Sequence, residues 1–345
     1  MSRILVVNAG STSLKLSIVD ETGTSRSIDS FEQAATEVDA VAHRVVHGGT
    51  RFREPVLIDV GVTAALDALA ELAPLHNRRG VAAINEAMSA LPHLPQVAVF
   101  DTAFHRTMPD EASTYALPAR WRNDWDIRRF GFHGLSVQWA SEQVCVPRLV
   151  VCHLGGGCSV TAVRDGRSVD TTMGYSPLEG VPMATRSGSI DAEIVLHLLR
   201  TKKLDLGEIE RALESESGLL GLSGETDRVE ELERSPSPEA ALALRVFAHR
   251  VASSIAAMAT SLDGLDALVF TAGIGEGSAS IRRNVCARLR FLGIELDAEA
   301  NANAGPDSDI NAPNAAVRVV VLHAREDVIA ARAARELVLN APARG

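Results

Sequence analysis

Histidine, arginine and aspartate recur in short strings of unusual composition. Arg44 stands between apolar residues in the string 42–49, and Asp101 directly follows the apolar run 96–100. Six of the ten histidines lie in such strings, namely His43, His47, His76, His105, His133 and His153. These groups supply cations and hydrogen-bond donors without an evident strong base. Such a set suits anion binding and phosphoryl transfer, in which catalysis consists of positioning and charge stabilisation.

Structural and zinc-binding roles are the alternatives for these histidines. A lone histidine is more often a hydrogen-bonded core or loop residue than a catalytic one, and no CxxC pair is present to indicate zinc. The four cysteines fit no disulfide framework and are expected to be free thiols in a reducing cytoplasm. They are Cys145, Cys152, Cys158 and Cys286.

Two turns built from small residues follow short apolar runs. The first is 8–13 and the second is 153–157. Glycine, serine and threonine let backbone N–H groups and hydroxyls approach an anion closely, whereas no GxxxxGK[ST] loop is present and no GxGxxG opens a helix. We therefore expect any bound phosphate to lie at these turns. Lys15 follows the first turn and is a candidate phosphate contact, with a solvated strand lysine as the alternative.

The elements that must position these residues alternate between strand and helix, which predicts an α/β protein. Runs 4–7 and 14–19 predict a β-hairpin around the first turn, and a similar hairpin surrounds the second turn. Asn8 falls on His153 when the first hairpin is shifted by 153 − 8 = 145 residues. This spacing predicts an internal duplication, with two unrelated hairpins as the alternative.

The second half continues with a long helix and a glycine-rich loop. Ser237 caps a predicted helix that ends near Leu262 and buries one face. A strand at 268–270 then leads into the loop 271–278, which precedes another helix and is a common place for a nucleotide. The polar segment 301–314 is predicted to be a surface loop.

Composition limits the classes of function. The 345 residues have room for roughly two domains. Lys and Arg number 34 against 44 Asp and Glu, so the net charge of −10 argues against a nucleic-acid binder. No apolar run reaches the ~18 residues of a membrane span, and the N-terminus lacks the cleavage site of a signal peptide. We therefore expect a cytoplasmic protein that binds neither nucleic acid nor membrane.

Long strings of this sequence resemble the acetate/propionate/butyrate kinase family, which belongs to the superfamily of actin, sugar kinases and heat-shock ATPases. They are VNAGSTSLKLSI, AHRVVHGG, APLHN, FDTAFH, GFHG, SVDTTMGYSPLEGVPMATRSG and AGIGE. The resemblance implies an α/β fold of two duplicated ribonuclease-H-like domains of the actin-like ATPase superfamily with a cleft between them. The expected domains are 1–143, on which a C-terminal helix 328–345 packs, and the nucleotide-binding domain 144–327.

The resemblance also implies roles on the acyl side. Arg44 corresponds to the arginine that holds the acyl carboxylate, Asp101 to the catalytic aspartate, and His133 to the histidine that stabilises the transition state. Arg186 corresponds to a second active-site arginine. The small acyl pocket and its neighbourhood correspond to Val46, Leu75, His76, Phe132 and Pro177.

Nucleotide and metal contacts correspond, by the same resemblance, to the turns and loops named above. The implied nucleotide-binding residues are Ser11, Thr12, Lys15, His153, Leu154, Gly155, Gly156, Gly157, Glu225, Asp227, Arg228, Gly273, Ile274, Gly275, Glu276 and Gly277. Asn8 and Glu326 correspond to residues near the metal ion. The implied cofactor is Mg²⁺ or Mn²⁺, with ATP as the phosphoryl donor, and the implied assembly is a homodimer.

The sequence departs from the family pattern mainly on the nucleotide side. Gly156 stands where family members have the asparagine of a GNG turn, and Gly277 stands where GIGEN ends in asparagine. The adenosine-side Asp-x-Arg motif is blurred into 225–228, and Arg325 replaces one of two usual acids. Because the acyl pocket is intact, these departures predict a weakened or altered preference for ATP.

The implied chemistry is consistent with these residue types. An acyl carboxylate is ionised at pH 7, so it needs charge shielding and no general base to attack phosphorus. Arg44 and Arg186 can offset the repulsion between two anions with bidentate hydrogen bonds. Asp101 is interpreted as the residue that orients an arginine, with a phospho-enzyme role as the alternative.

The expected reaction is the reversible transfer of the ATP γ-phosphoryl group to acetate by direct in-line attack, giving acetyl phosphate and ADP. Transfer to propionate or another short-chain acid is the alternative within the family. A non-catalytic nucleotide-binding relative is the alternative from a different class.

Overall fold

The computed structural model describes residues 3–9, 14–69 and 74–340, apart from the side chains of 74–76 and 340. The chain divides into two compact units. Unit 1 comprises Met1–Arg106, Phe132–Trp139 and Arg325–Gly345, and unit 2 comprises Thr107–Gly131 and Ala140–Ala324. The segment Thr107–Gly131 belongs to unit 2, although it precedes the predicted domain boundary at 143/144 in the chain.

The strands and helices are numbered in chain order. The strands are β1 Ile4–Ala9, β2 Leu14–Val19, β3 Ser25–Ile28, β4 Ala40–Val45, β5 Val56–Leu57, β6 Gln96–Phe100, β7 Arg148–Leu154, β8 Cys158–Arg164, β9 Arg167–Thr171, β10 Ala267–Thr271, β11 Ser308–Asp309 and β12 Arg318–Val321. The helices are α1 Val60–Ala68, α2 Pro74–Ala90, α3 Asp110–Ser113, α4 Ala119–Asp124, α5 Gly134–Val144, α6 Ala192–His197, α7 Leu206–Ser215, α8 Gly218–Ser223, α9 Val229–Arg234, α10 Pro238–Leu262, α11 Ala272–Gly277, α12 Ala279–Cys286, α13 Ala298–Ala302 and α14 Glu326–Asn340.

Unit 1 is built on a six-stranded sheet in the order β3-β2-β1-β4-β6-β5. Strand β1 pairs antiparallel with β2 and parallel with β4, and β4 pairs parallel with β6. Asn8 lies opposite Lys15 on one side and Arg44 on the other. Because β1, β4 and β6 run in the same direction, their carboxyl ends bring Asn8, Arg44 and the residue after Phe100 to one edge of the sheet.

Side-chain alternation along β1 builds a core on each face of this sheet. Leu5 and Val7 pack on one face in a cluster that includes Ala83 and Ala87 of α2. Ile4 and Val6 point to the other face, where the cluster includes α14. The α14 residues of that cluster are Ile329, Ala330, Ala331 and Ala334. The last helix therefore closes one face of unit 1, and the period of two in β1 dictates this arrangement.

Unit 2 repeats the topology of unit 1. Its sheet has the order β11-β12-β10-β7-β8-β9, in which β7 pairs antiparallel with β8 and parallel with β10. Substituting β7–β12 for β1–β6 reproduces the order of the first sheet strand for strand. The predicted duplication is confirmed, and the alternative of two unrelated hairpins is wrong.

Helix α10 has the predicted cap and the predicted buried face. The Ser237 hydroxyl accepts from the Ala240 N–H at 2.9 Å, and a proline follows the cap. Phe247, Val251 and Ile255 are buried within unit 2. Among the described residues this helix alone is long and apolar enough, by length and composition, to cross a membrane. A buried core helix of a globular protein passes the same test.

Two sequence predictions in unit 2 are wrong in detail. The glycine-rich run predicted as a loop folds into the short helix α11, and the predicted surface loop 301–314 contains the end of α13 and strand β11. Glycine lowers helix propensity, but Glu276 closes α11 by accepting from the Ala272 N–H at 2.9 Å. Pairing of β11 with the edge of β12 overrides the polar composition of its segment.

Candidate functional site

Arg44 lies at the centre of the candidate site in unit 1. Its Nε donates to Asp101 Oδ1 at 2.8 Å and its Nη2 to Asp101 Oδ2 at 2.6 Å, which makes a bidentate pair. Its Nη1 donates to Asn8 Oδ1 at 3.2 Å and lies 2.8 Å from Glu326 Oε2. A guanidinium has five N–H groups. Among the described residues these contacts engage one N–H of Nε, two of Nη1 and one of Nη2, so one remains.

This arrangement limits what Arg44 offers a ligand. The sequence predicted that Arg44 clamps an acyl carboxylate with two hydrogen bonds. In the structure a second donor becomes available only if Asn8 or Glu326 releases Nη1. The interpretation of Asp101 as an orienting residue stays a prediction, and the bidentate pair is the geometry that it requires.

Burial makes the electrostatics of this cluster strong. The side chains of Asp101, Glu326 and Arg44 are 1%, 14% and 16% exposed. Burial alone would lower the pKa of Arg44, but attraction to Asp101 and Glu326 raises it further above its usual range. Burial raises the pKa of Glu326, and Arg44 opposes that rise. Two carboxylates share one guanidinium, and the positive charge of Lys15 also lowers the pKa of Glu326.

His133 lies at the start of α5 in a strained backbone conformation. Its φ of 59° is in the left-handed region, which a non-glycine residue rarely adopts. Gly134 follows it, donates its N–H to the Asp101 carbonyl at 2.9 Å, and lies so close that a Cβ would be 2.2 Å from that oxygen. Glycine is therefore required at 134, and this approach fixes His133 near the end of β6.

Phe132 is held by two histidines. Its carbonyl lies 2.9 Å from His105 Nε2, and its ring meets the edge of the His47 ring at a centroid distance of 5.3 Å. Burial lowers the pKa of His105 to about 4, so the imidazole is neutral at pH 7 and Nε2–H donates to the carbonyl. His105 and His47 were not among the predicted site residues, although the strings FDTAFH and AHRVVHGG contain them.

The remaining acyl-side predictions are only partly described. Val46 is half-buried and directly follows β4. The backbone of Leu75 and His76 lies in the first turn of α2, and their side chains lie outside the described residues. Pro177 is buried in unit 2.

The first phosphate turn is also only partly described. Ser11 and Thr12 lie outside the described residues. Lys15 is exposed and lies opposite Asn8 across the hairpin.

Unit 2 contains a cavity of about 300 Å³ where the second glycine turn meets α9 and α11. Its lining includes seven predicted nucleotide-binding residues, namely Gly155, Gly156, Asp227, Arg228, Gly273, Ile274 and Gly277. Ala184, Val229, Glu230 and Ser278 complete the lining and were not predicted. Neither Gly156 nor Gly277 has an atom within 4 Å of where a Cβ would be, so both positions face open space.

Other predicted nucleotide-binding residues do not line this cavity. They are His153, Leu154, Gly157, Glu225, Gly275 and Glu276. Leu154 is fully buried, and Glu276 is occupied within unit 2. Its Oε1 accepts from the Ala272 and Ala324 N–H groups, and its Oε2 lies 2.7 Å from His323 Nδ1. These contacts give Glu276 a structural role in closing α11.

Arg282 stabilises the C-terminal end of α11, and the sequence analysis did not predict this role. Its side chain is 2% exposed, and its Nη1 donates to the carbonyls of Gly275 at 2.9 Å and Glu276 at 2.7 Å. Its Nε and Nη2 donate to Asn301. Burial lowers its pKa. An arginine in an amphipathic helix normally indicates a solvated face, so the sequence carries no signal for this buried position.

Arg186, the second predicted arginine, is paired with Glu214. Its Nε lies 3.1 Å from Glu214 Oε2, and the two side chains are 13% and 19% exposed. Flanking contacts fix the pair, because Thr185 Oγ1 donates to the Glu214 carbonyl at 2.9 Å and Ser187 N–H to the Leu213 carbonyl at 3.0 Å. Burial raises the pKa of Glu214, and Arg186 opposes the rise. Glu214 lies outside every recognised string and was missed.

The donor atoms around Arg44 are compatible with a magnesium ion that arrives with a nucleotide. Asn8, Asp101 and Glu326 provide the oxygen ligands that Mg²⁺ prefers, and Mg²⁺ commonly uses one or two carboxylates plus substrate phosphates. Within the described ranges no three His, Cys, Asp or Glu side chains form a ready metal site. Asn8 and Glu326 are thus suitable metal contacts only if they exchange Arg44 for the ion.

Comparison with known proteins gives a consistent result. The model of the acetokinase family matches residues 26–332. The chain is 47% identical over 315 residues to the acetate kinase of Synechococcus sp. (strain JA-2-3B'a(2-13)), covering 88% of this chain and 78% of that protein. It is 46% identical over 310 residues to the acetate kinase of Gloeobacter violaceus, covering 86% and 76%.

Solved structures show the same kinship. The propionate kinase of Francisella tularensis matches with a TM-score of 0.90 at 36% identity, covering 96% of this chain and 99% of that one. The acetate kinase of Porphyromonas gingivalis matches with a TM-score of 0.86 at 30% identity, covering 98% and 100%.

Proposed function

This chain belongs to the acetokinase family, and on that premise we propose that it is an acetate kinase, which transfers the γ-phosphoryl group of ATP reversibly to acetate. The curated relatives at 46–47% identity are acetate kinases and support this substrate. The observation that carries the proposal is Arg44, a buried guanidinium held bidentately by Asp101, to which the described residues leave one N–H for an anion.

The reaction requires no proton transfer. An acetate oxygen attacks the γ-phosphorus in line, a new O–P bond forms, and the bond to the β–γ bridging oxygen breaks, so ADP leaves with the electron pair. Arg44 offers the acyl carboxylate its remaining N–H and, once Asn8 and Glu326 release it, its Nη1 donors, which reduces repulsion between the two anions. His133 donates to an equatorial oxygen of the phosphoryl group, where charge spreads in the transition state. Bound Mg²⁺ would neutralise charge on the β- and γ-phosphates, with Asn8 and Glu326 as its protein contacts.

The unit 2 residues serve the donor. The cavity lined by Gly155, Gly156, Gly273 and Asp227 has the small residues and the polar groups that a nucleotide needs. Arg186, kept in place by Glu214, supplies positive charge to the transferring group. Asp101 acts as an orienting residue, and the two hydrogen bonds that its carboxylate accepts from Arg44 support this role because they hold the guanidinium and reduce the nucleophilicity of both oxygens.

Propionate kinase is the second candidate, and one observation favours it. The Francisella tularensis propionate kinase has a TM-score of 0.90 to this chain, against 0.86 for the acetate kinase of Porphyromonas gingivalis. One methylene is worth only about 1–3 kcal/mol of discrimination, so the two activities are separated by small changes in the acyl pocket.

Formation of acyl phosphate tests the proposal directly. Purified protein with Mg²⁺-ATP is titrated with acetate and propionate, and acyl phosphate is trapped as hydroxamate. We expect acetyl phosphate to form, and we expect kcat/KM to be higher for acetate than for propionate. Arg186→Ala should lower turnover by roughly two to four orders of magnitude, whereas Arg211→Ala, which removes an exposed arginine from the same unit, should leave it unchanged. Absence of product from either acid in the folded wild type would refute the proposal.

The open space at Gly156 and Gly277 supports a finer proposal about the donor. Without the asparagine side chains that the family pattern has there, contacts to ATP are fewer and the preference for ATP is weaker. Turnover with ATP, GTP and pyrophosphate measures this preference, and Gly156→Asn should lower KM for ATP because the added side chain meets no atom within 4 Å of its Cβ. A strong ATP preference in the wild type would contradict it.

The protein is also proposed to be a cytoplasmic homodimer.

A further inference from the structure

Asn77 is a buried amide that holds two segments of unit 1 together. Its side chain is 2% exposed. Its Oδ1 accepts from the His47 N–H at 3.2 Å, and its Nδ2 donates to the carbonyls of His47 at 3.2 Å and Leu69 at 3.3 Å. The amide thus pairs with both backbone groups of His47, as a neighbouring strand would. We propose that Asn77 is a positioning residue that sets the size of the acyl pocket and so favours acetate over longer acids.

The two segments joined by Asn77 carry predicted walls of that pocket. Val46 directly precedes His47 in the chain, and Leu75 lies two residues before Asn77 in the first turn of α2. Because hydrogen bonds lengthen little before they are lost, the amide fixes the spacing between the backbone after β4 and the start of α2. This inference rests on the proposed function, which places an acyl group at these residues.

His47 extends the same framework to a third predicted wall. Its ring meets Phe132 at 5.3 Å in an edge-to-face arrangement, and its Nδ1 accepts from the Gly49 N–H at 2.9 Å. The neighbouring Gly48 lies so close to Phe52 that a Cβ would be 2.4 Å from the Phe52 carbonyl oxygen. The loop after β4 therefore has little freedom, and Asn77 holds the backbone of the residue on which Phe132 packs.

A rigid wall is what discrimination by one methylene requires. Acetate and propionate carry the same carboxylate, so Arg44 treats them alike, and only the space around the methyl group separates them. A pocket rejects an extra methylene by up to roughly 10–200-fold, and only if its walls do not move apart. Loss of the Asn77 amide leaves the His47 N–H and carbonyl without this partner and frees the spacing that it fixed.

The acid preference of Asn77 variants tests the proposal. Asn77→Ala and the milder Asn77→Ser are compared with the wild type for kcat/KM with acetate and propionate at saturating Mg²⁺-ATP. We expect the propionate-to-acetate ratio to rise about tenfold in Asn77→Ala and less in Asn77→Ser, with KM for ATP unchanged. Asn85→Ala is the matched control, because Asn85 lies in the same helix and is exposed, and its ratio should equal that of the wild type.

The possible outcomes separate this proposal from the function on which it rests. A wild type that phosphorylates neither acid removes both. An active wild type together with Asn77 variants that lose both activities in equal proportion shows a purely structural role and overturns this proposal alone. If Asn77→Ala fails to fold, the ratio in Asn77→Ser decides: a rise supports the proposal and an unchanged ratio refutes it.

Discussion

Arg44 and Asp101 form a buried ion pair with bidentate geometry. Both carboxylate oxygens of Asp101 accept hydrogen bonds from the Arg44 guanidinium. The orientation of this guanidinium therefore depends on a planar partner with two acceptors. The position of Asp101 at the end of a strand was predictable from the sequence, because an apolar run followed directly by a carboxylate is unusual. The sequence does not indicate how many N–H groups of Arg44 remain for a ligand, because Glu326, which engages one of them, is distant from Arg44 in the sequence.

Replacement of Asp101 tests this geometry. In Asp101→Asn the amide can accept one hydrogen bond but presents N–H groups to the other guanidinium donor, so Arg44 should lose its orientation. We expect kcat with acetate to fall by roughly 10²–10⁴. Asp309→Asn is the control, because it removes a carboxylate from an exposed pair with Arg318, which is worth about 0–1 kcal/mol. Turnover close to wild type in Asp101→Asn would show that Arg44 needs no such partner.

Two buried histidines make stability depend on pH. Burial lowers the pKa of both His43 and His105 from 6.5 to about 4. Below pH 6.5 the unfolded chain takes up these protons and the folded chain does not, so stability is present above that pH and is lost as the pH falls towards 4. The loss reaches about 3 kcal/mol per histidine. His43 Nε2 donates to Gln96 Oε1 at 2.7 Å, and its Nδ1 has no partner among the described residues.

Urea unfolding between pH 7 and pH 4.5 measures this effect. His43→Met should reduce the loss of stability over that range, because it removes one of the two groups that resist protonation in the folded state. His93→Gln removes an exposed histidine and should leave the pH dependence as it is in the wild type. An unchanged pH dependence in His43→Met would contradict the burial argument.

At the scale of elements, close backbone approach positions the start of α5. A Cβ on Gly134 would lie 2.2 Å from the Asp101 carbonyl oxygen and 2.9 Å from Phe104 Cβ. Gly134→Ala should therefore push α5 away from β6, displace His133 and abolish most activity, at a cost in stability of roughly 1–3 kcal/mol. Gly80→Ala within α2 is the matched control, because a Cβ there meets nothing within 4 Å. It should be neutral or stabilise the protein by about 1 kcal/mol.

Thermal unfolding and the acyl phosphate assay together check this pair. Full activity in Gly134→Ala would show that α5 adjusts without moving His133. The close approach of Gly134 to the Asp101 carbonyl would then not be what positions His133.

The elements themselves were largely predictable from the sequence. A short apolar run indicated β1, period-two alternation indicated β2, and a serine cap followed by proline indicated α10. The failures occurred where side-chain contacts override composition. The glycines of α11 disfavour a helix until Glu276 and Arg282 hydrogen-bond to its two ends, through contacts that span four and seven residues. Arg282 and Glu214 were missed because their partners Asn301 and Arg186 are distant from them in the sequence.

At the scale of the whole chain, unit 1 is completed by α14, which follows unit 2 in the sequence. After unit 2 the chain forms α14, whose Ile329 is 2% exposed in a cluster with Ile4, Val6 and Val99. Ile329→Ala should destabilise the protein by about 2–5 kcal/mol, as buried large-to-small changes do. Leu339→Ala in the same helix, where the side chain is 73% exposed, should change stability by less than about 0.5 kcal/mol. Urea unfolding of both variants checks this, and equal effects would deny α14 its place in the core.

The position of α14 also has a consequence for biosynthesis. Unit 2 is complete once residue 324 has been made, whereas unit 1 needs residues from the first strand and from the last helix. During translation, when N-terminal segments normally fold first, unit 1 must wait for the ribosome to deliver α14. Arg44 is synthesised well before Glu326, with which it pairs. Nascent chains that have not yet reached α14 therefore lack an assembled Arg44 cluster, and catalytic competence is acquired only after α14 has emerged.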